Sequence, residues 1–282
     1  MGGQSKKATL VKMLTTDPAW PALVAESGNL LFKNDSLPPE SLPPAKIAAD
    51  GIVQAITSMG STFAGIGSRD LAAGESFLRR LHKPPAFSWL SLNILDPAQN
   101  KPLFSPVLLQ QAGQIRVAIL AVTDHAPFAN PGRSFRMVPW KEVLPQALAG
   151  LKDKADFVIV LSNYDLTTNK EIANSCTAID LLLQSGHVIG NMQPLLIEHT
   201  LIAQTETKGR YLGVLDIQWN GHGRWSEDGR PPAGLAKDEA PSTFAHRFIP
   251  ITPSTASDPG IEALVQQTKH NLDKASQTPK AR

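Results

Sequence analysis

Short runs of β-branched and large apolar residues, set between segments of helical period, govern what this chain can fold into. Phe157–Leu161 (Phe-Val-Ile-Val-Leu) is apolar at every position, as a strand covered on both faces requires. Ile115–Val122 and Ile179–Leu183 are largely apolar runs too, interrupted only by Arg116 and Asp180. Between them Val143, Leu144, Leu148 and Leu151 recur at helical spacing, with Pro145 tolerated in the first turns. Such an order demands strands stacked into a sheet and helices packed on it.

The remaining segments extend the alternation. Lys6–Leu14 reads as a helix, Ala22–Ala25 as a short strand, and Ser36–Pro44, with its two Pro-Pro pairs, as an extended loop closed to helix. Ile47, Ile52, Ile56 and Met59 mark a second helix, Ser61–Ile66 a buried strand, Ala72–Leu81 a helix and Ala86–Leu95 a strand. Leu103–Leu109 and Ile115–Val122 form an antiparallel pair through Gln111-Ala112-Gly113. Pro127–Arg136 is a loop, and Asn169–Ser175 a short helix. Leu195–Ala203 and Tyr211–Trp219 read as a late hairpin across Lys208-Gly209, and Ile261–Leu272 as an amphipathic helix before a soluble tail.

The expected fold class is α/β, a four-layer α/β/β/α sandwich with mixed sheets. It forms one domain over residues 1–282, with a Pro-rich loop at 35–45, a polar loop at 221–240 and a flexible tail at 276–282.

Composition narrows the function classes. With 42% hydrophobic and 18% charged residues in 282, the chain can bury a large core. A net charge of +2, with Lys and Arg scattered, offers no field for nucleic acid. No apolar run approaches the ~18 residues of a membrane span. One cysteine, Cys176, excludes an internal disulfide and reads as a small core residue. Gly2–Lys7 leads straight into an amphipathic segment with no signal-peptide pattern, so localisation stays open. No Gly-x-Ser-x-Gly elbow or phosphate loop is present.

Chemistry in layered α/β folds sits on loops at the carboxyl ends of strands. Four such ends carry polar clusters: Glu26-Ser27-Gly28-Asn29, Gly67-Ser68-Arg69-Asp70, Ser162-Asn163-Tyr164-Asp165 and Gly186-His187-Val188-Ile189. Thr123-Asp124-His125 ends a further strand at the same rim.

In order and spacing these clusters resemble the calcineurin-like metallophosphoesterases, in particular the N-terminal domain of 5′-nucleotidases and 2′,3′-cyclic phosphodiesterases. The resemblance runs through Gly3–Leu14, Ala49–Gly74, Ser91-Leu92-Asn93-Ile94, Ile115–Asp124, Ala155–Asn163, Ile179–His187 and Gly209-Arg210-Tyr211-Leu212-Gly213. It implies a hydrolase scaffold in which two divalent metals (Mn, Zn, Fe or Mg), roughly 3.5–4 Å apart, clamp a phosphate and activate a water. Its ligands come from Asp-x-His, Gly-Asp, Gly-Asn-His-Asp/Glu, a lone His and Gly-His-x-His. Relatives of this kind are often periplasmic or extracellular.

Matched residue by residue, most of those ligands are replaced. The first-strand Asp-x-His has no counterpart. The metal-bridging aspartate falls on Asn29, the asparagine of Gly-Asn-His-Asp on Ser68, and the catalytic histidine on Arg69. Asp70 keeps the supporting acid. The lone histidine falls on Asn163, and Gly-His-x-His keeps His187 but has Ile189 as its second member.

Two dications repel each other unless anionic ligands offset them, and Arg69 adds a fixed positive charge instead. No cofactor is therefore expected, and the role implied is a catalytically impaired or non-catalytic binding or structural module. The alternatives are an active metal-dependent phosphoester hydrolase on a reduced ligand set (His187, Asn163, Asp70, Asn29), and a scaffold domain of a larger exported protein.

Arg69 and Asp70 either pair with each other, Asp70 also capping a helix from Leu71, or leave Arg69 to recognise a phosphate or carboxylate. His187 is either a ligand or a hydrogen-bonded strand-end residue, and Asp124, His125 and His187 together offer a mononuclear site. Ser68, Arg69, Asp70, Asp124, His125 and His187 are the candidate ligand-binding residues. The expected partners are a phosphate-containing small molecule and protein domains in a longer chain.

Overall fold

The computed structural model describes residues 3–83, 86–128, 134–185, 190–221, 224–227 and 241–277. In chain order the elements are α1 (Gln4–Thr15), α2 (Leu42–Ser58), β1 (Phe63–Gly65), α3 (Glu75–Leu81), β2 (Ser88–Leu90) and β3 (Ile94–Leu95). Next come β4 (Val107–Ala112), β5 (Ile115–Val122), β6 (Arg136–Met137), α4 (Trp140–Ala149), β7 (Phe157–Ser162), α5 (Leu166–Ser175) and β8 (Leu181–Gln184). The chain continues through β9 (Met192–Ile197), β10 (Thr200–Gln204), β11 (Tyr211–Gln218), β12 (Trp225–Glu227), β13 (Ser242–Pro250) and α6 (Pro259–Gln277).

The apolar strands build a six-stranded sheet in the order β4-β5-β7-β8-β10-β9. Its inner pairs β5/β7, β7/β8 and β8/β10 are parallel, and β4 and β9 close it as antiparallel edges. Side chains alternate across this sheet with a period of two. Ala118, Leu120, Val122, Val158 and Val160 face α4 and α5 through Trp140, Leu144, Leu148, Ile172 and Cys176. Val117, Ile119, Ala121, Phe157, Ile159 and Leu161 face the other way, against Phe63 and Leu90 of the small parallel sheet β1-β2 and Trp225 and Phe244 of the sheet β11-β13-β12.

Beyond those small sheets lies the second helical layer. Ala64, Trp89 and Ile94 pack on α2 and α3, while Ala8 and Val11 of α1 meet Ala55 of α2 and Ile261 and Val265 of α6. The four-layer α/β/β/α sandwich is thus the observed architecture. Among the described residues no helix is long and apolar enough to cross a membrane.

Several local expectations are corrected. The double prolines do not keep 36–44 extended: a 3-10 turn spans Pro39–Ser41 and α2 starts at Leu42, with proline in its first turn. There the missing N–H would have had no helical partner anyway. Helix α3 begins at Glu75 rather than Ala72, because Gly74 takes φ +92° and breaks the chain direction. The expected strand Ala22–Ala25 forms only an isolated bridge, Glu26 to Ala64.

The hairpin expected across Lys208-Gly209 does not form. Instead β9 turns into β10 at Glu198-His199, with Glu198 at φ +50°, and β11 pairs with β13 in another sheet. Strand β12 lies inside the segment expected to be a polar loop, and α6 runs through to Gln277.

Candidate functional site

The polar loops do converge. Among the described residues the loops after β1, β5 and β7 and the segment 26–29 beside β1 are stitched together by side chains. Asp70 is the hub: its Oδ2 accepts the amides of Asn29 (2.8 Å) and Gly67 (2.9 Å), and its Oδ1 that of Leu31 (2.8 Å). It is wholly buried. Burial pushes its pKa up to about 6, against the downward pull of the Leu31, Gly67 and Asn29 amides.

The backbone shape that permits this is specific. Gly28 and Asn29 both occupy the left-handed region, at φ +117° and +55°, which directs the Asn29 amide toward the carboxylate. The Asn29 Oδ1 then accepts the Arg69 amide (3.1 Å). Gly67 lies so close that an added Cβ would overlap the Asn29 side-chain oxygen and amide.

This geometry corrects two expectations. Asp70 is not the cap of a helix starting at Leu71. It sits inside a 3-10 turn, Ser68–Leu71, and reaches back to the Gly67 amide. Nor does it pair with Arg69, because backbone amides occupy its oxygens. The Arg69 guanidinium has no hydrogen bond or ion pair among the described residues.

The next loops close on the same centre. Buried Asn163 accepts the Asp124 amide through Oδ1 (2.6 Å), and its Nδ2 approaches the Ser68 hydroxyl (3.4 Å). Ser68 in turn donates to Asp35 (2.9 Å). Thr123 donates to the Ile66 carbonyl (2.7 Å), and Ser185 to that of Ser27 (3.0 Å). Asn93 holds the Thr123 segment from below, donating to the carbonyls of Thr123 (2.7 Å) and Val138 (2.9 Å).

His125 lies one step outward, its Nδ1 3.0 Å from the Tyr164 hydroxyl. Burial, helped by the Asp124 charge, holds the Tyr164 phenol well above its ordinary pKa. Asp124, His125, Trp140, Lys141, Tyr164 and Glu171 border a cavity of about 440 Å³, where Lys141 and Glu171 form an ion pair at 2.6 Å.

His187 and Ile189 lie outside the described residues, so the proposed grouping of His187 with Asp124 and His125 lies there too. Asp35 and Ser185 lie outside the clusters marked in the sequence, and Tyr164 stands in one of them without a role of its own. Each acquires its place through a partner at least 33 residues away.

A dinuclear metal centre needs several anionic or imidazole donors aimed at one point. Here the amide oxygens of Asn29 and Asn163 are spent on backbone N–H groups, and both Asp70 oxygens are likewise engaged. Among the described residues no three His, Cys, Asp or Glu side chains come close enough together to hold a metal ion. These donors do not fit a pair of divalent metals.

No protein-family model matches the chain, and no curated protein matches it in sequence. Solved structures do match in shape. The sulfate thiohydrolase SoxB from Thermus thermophilus superposes with a TM-score of 0.75 at 17% identity, covering 96% of this chain and 47% of SoxB. A 5′-nucleotidase precursor, also from Thermus thermophilus, gives the same TM-score of 0.75 at 15% identity, over 98% of this chain and 54% of its own. The chain has the calcineurin-like metallophosphoesterase fold.

It spans about half the length of SoxB and of the nucleotidase. The calcineurin-like phosphoesterase YfkN from Bacillus subtilis is matched more fully, with a TM-score of 0.72 at 14% identity over 96% of this chain and 89% of that one.

Proposed function

We propose that this metallophosphoesterase-fold chain is a catalytically impaired, non-metal module that retains recognition of a phosphate-bearing small molecule through Arg69. The observation that carries the reading is how the donors at the strand ends are spent. Asn29, Asp70 and Asn163 each satisfy backbone amides, so the loops are held by a closed hydrogen-bond network and need no cation to bring them together.

Arg69 is the complementary half of the argument. Its backbone is fixed by Asn29, while its guanidinium has no partner among the described residues. A planar, permanently charged fork at a loop rim suits a phosphate or carboxylate oxyanion. The likeness to a 5′-nucleotidase precursor supports a nucleotide as the first ligand class to try.

The test is thermal unfolding of the full chain with inorganic phosphate and a panel of nucleoside mono- and diphosphates. An aryl phosphate hydrolysis assay in added Mn runs alongside. One nucleotide is expected to raise the midpoint, and Arg69→Gln to abolish that rise without lowering the midpoint of the free protein. Hydrolysis above the buffer rate, or a ligand response indifferent to Arg69→Gln, contradicts the reading.

A further inference from the structure

Strand β2 bonds alternate residues to its two sides. Ser88 and Leu90 serve β1: the Ser88 amide donates to the Thr62 carbonyl (2.8 Å), and the Leu90 carbonyl accepts the Ile66 amide (3.1 Å). Phe87, Trp89 and Ser91 turn the other way. Phe87 exchanges a pair of hydrogen bonds with Lys83 (2.9 and 3.0 Å). The Trp89 carbonyl accepts the Ser105 amide (3.2 Å), and the Ser91 amide donates to the Ser105 carbonyl (3.3 Å). The Trp89 amide completes this row by donating to a side chain, Nδ1 of the His82 ring (3.0 Å).

Trp89 is fully buried, so its N–H needs an acceptor. An imidazole nitrogen accepts only while it carries no proton. His82 is therefore neutral here, with its hydrogen on Nε2.

The surroundings oppose a charge on this ring. It is half-buried at the end of α3 and stands perpendicular to Phe104, with centroids 5.9 Å apart. Among the described residues the charge that bears on it is that of Arg79, three residues back on α3, which itself pairs with Glu75 (3.3 Å). Trp89 on β2 and Phe104 on the far side bring no charge. Burial, helped by Arg79, holds the His82 pKa below its ordinary value.

We propose that His82 is an acid-sensitive latch between α3 and β2: a proton taken up at Nδ1 sets two donors against each other, releases the Trp89 amide and lets that edge of β2 open. Such opening bears on the strand-end loops. Leu90, the next residue, anchors Ile66 just ahead of the Ser68–Leu71 turn. This holds whatever Arg69 binds.

The sign follows from the two states. With the latch open, His82 titrates near the ordinary value of about 6.5. Closed, it takes up a proton less readily. The latch is at full strength above about pH 6.5, and each unit below that favours opening by up to about tenfold. The effect levels off once the lowered pKa of the closed form is passed.

The test is amide hydrogen exchange of the full chain, followed by NMR from about pH 8 to about pH 5 and corrected for intrinsic exchange. Protection of the Trp89 amide is expected to fall by up to about tenfold per pH unit relative to that of Val160 in β7. Ring nitrogen shifts at about pH 8 are expected to show His82 with its hydrogen on Nε2. His82→Asn offers an oxygen in place of Nδ1 and takes up no proton, so its Trp89 protection is expected to persist at about pH 5.

Constant Trp89 protection in the wild type overturns the proposal, as does an equal fall at Val160. A hydrogen on Nδ1 at about pH 8, or a fall that survives in His82→Asn, overturns it too.

Discussion

At Asp180 a carboxylate sits just before β8 with one amide, that of Val158, on its Oδ2 at 2.8 Å. Burial outweighs this bond and raises its pKa to about 7. The folded chain thus keeps a proton that the unfolded chain releases near the ordinary carboxylate value. Stability from this group is therefore fully present below about pH 4 and is lost as pH rises to about 7. Asp180→Asn, which keeps the acceptor and removes the charge, is expected to gain on the wild type in urea midpoint between pH 4 and pH 8. A difference that stays constant across that range contradicts the assignment.

Residue identity alone made part of the site legible. The clusters at strand ends point to Asp70, Asn29 and Asn163; Asn29 meets Asp70, and Asn163 joins their loop through Ser68. What each bonds was not legible, because the partners are backbone amides set by the left-handed turn at Gly28-Asn29 and by loops about 40 residues apart. An expected Arg69–Asp70 pair lost to three N–H groups that no side-chain pattern records.

Among the elements, apolar runs locate β5, β7 and β8, since Phe157–Leu161 and Ile115–Val122 carry their own signal, whereas Leu195–Ala203 reads as one strand where β9 and β10 are two. Partnership was another matter. Sequence proximity predicts a hairpin between β11 and its nearest neighbour, but its mate is β13, beyond a long polar stretch. Strand β13 mixes Ser, Thr, His and Arg with apolar residues, so only pairing reveals it.

Polar links between elements are equally silent in sequence. Asn169 of α5 donates to Gln184 of β8 (3.0 Å), which donates to Gln204 of β10 (2.9 Å), all three buried. Gln184→Leu keeps the volume but takes the acceptor from the Asn169 amide and the donor from the Gln204 carbonyl. It is expected to lower stability by about 2–3 kcal/mol with an unchanged urea m-value. A loss under about 0.5 kcal/mol would show that water or neighbouring groups replace the link.

For the whole molecule, alternation of strand and helix was enough to expect four layers, and four layers are found. The fold also states what the chemistry does not. Matches of TM-score 0.75 at 15–17% identity show a shared scaffold. Activity depends on side chains at a few loop positions, and a scaffold can persist while those positions change. Here the loops at the strand ends hold one another through Asp70, Asn29 and Asn163.

Elemental analysis of the full chain, purified without chelators and then dialysed against Mn, Zn and Fe, bears most directly on that replacement. Metal content well below one equivalent, with an unfolding midpoint unmoved by the ions, is the expected result. About two equivalents of bound metal, together with a raised midpoint, would contradict it and restore a dinuclear centre.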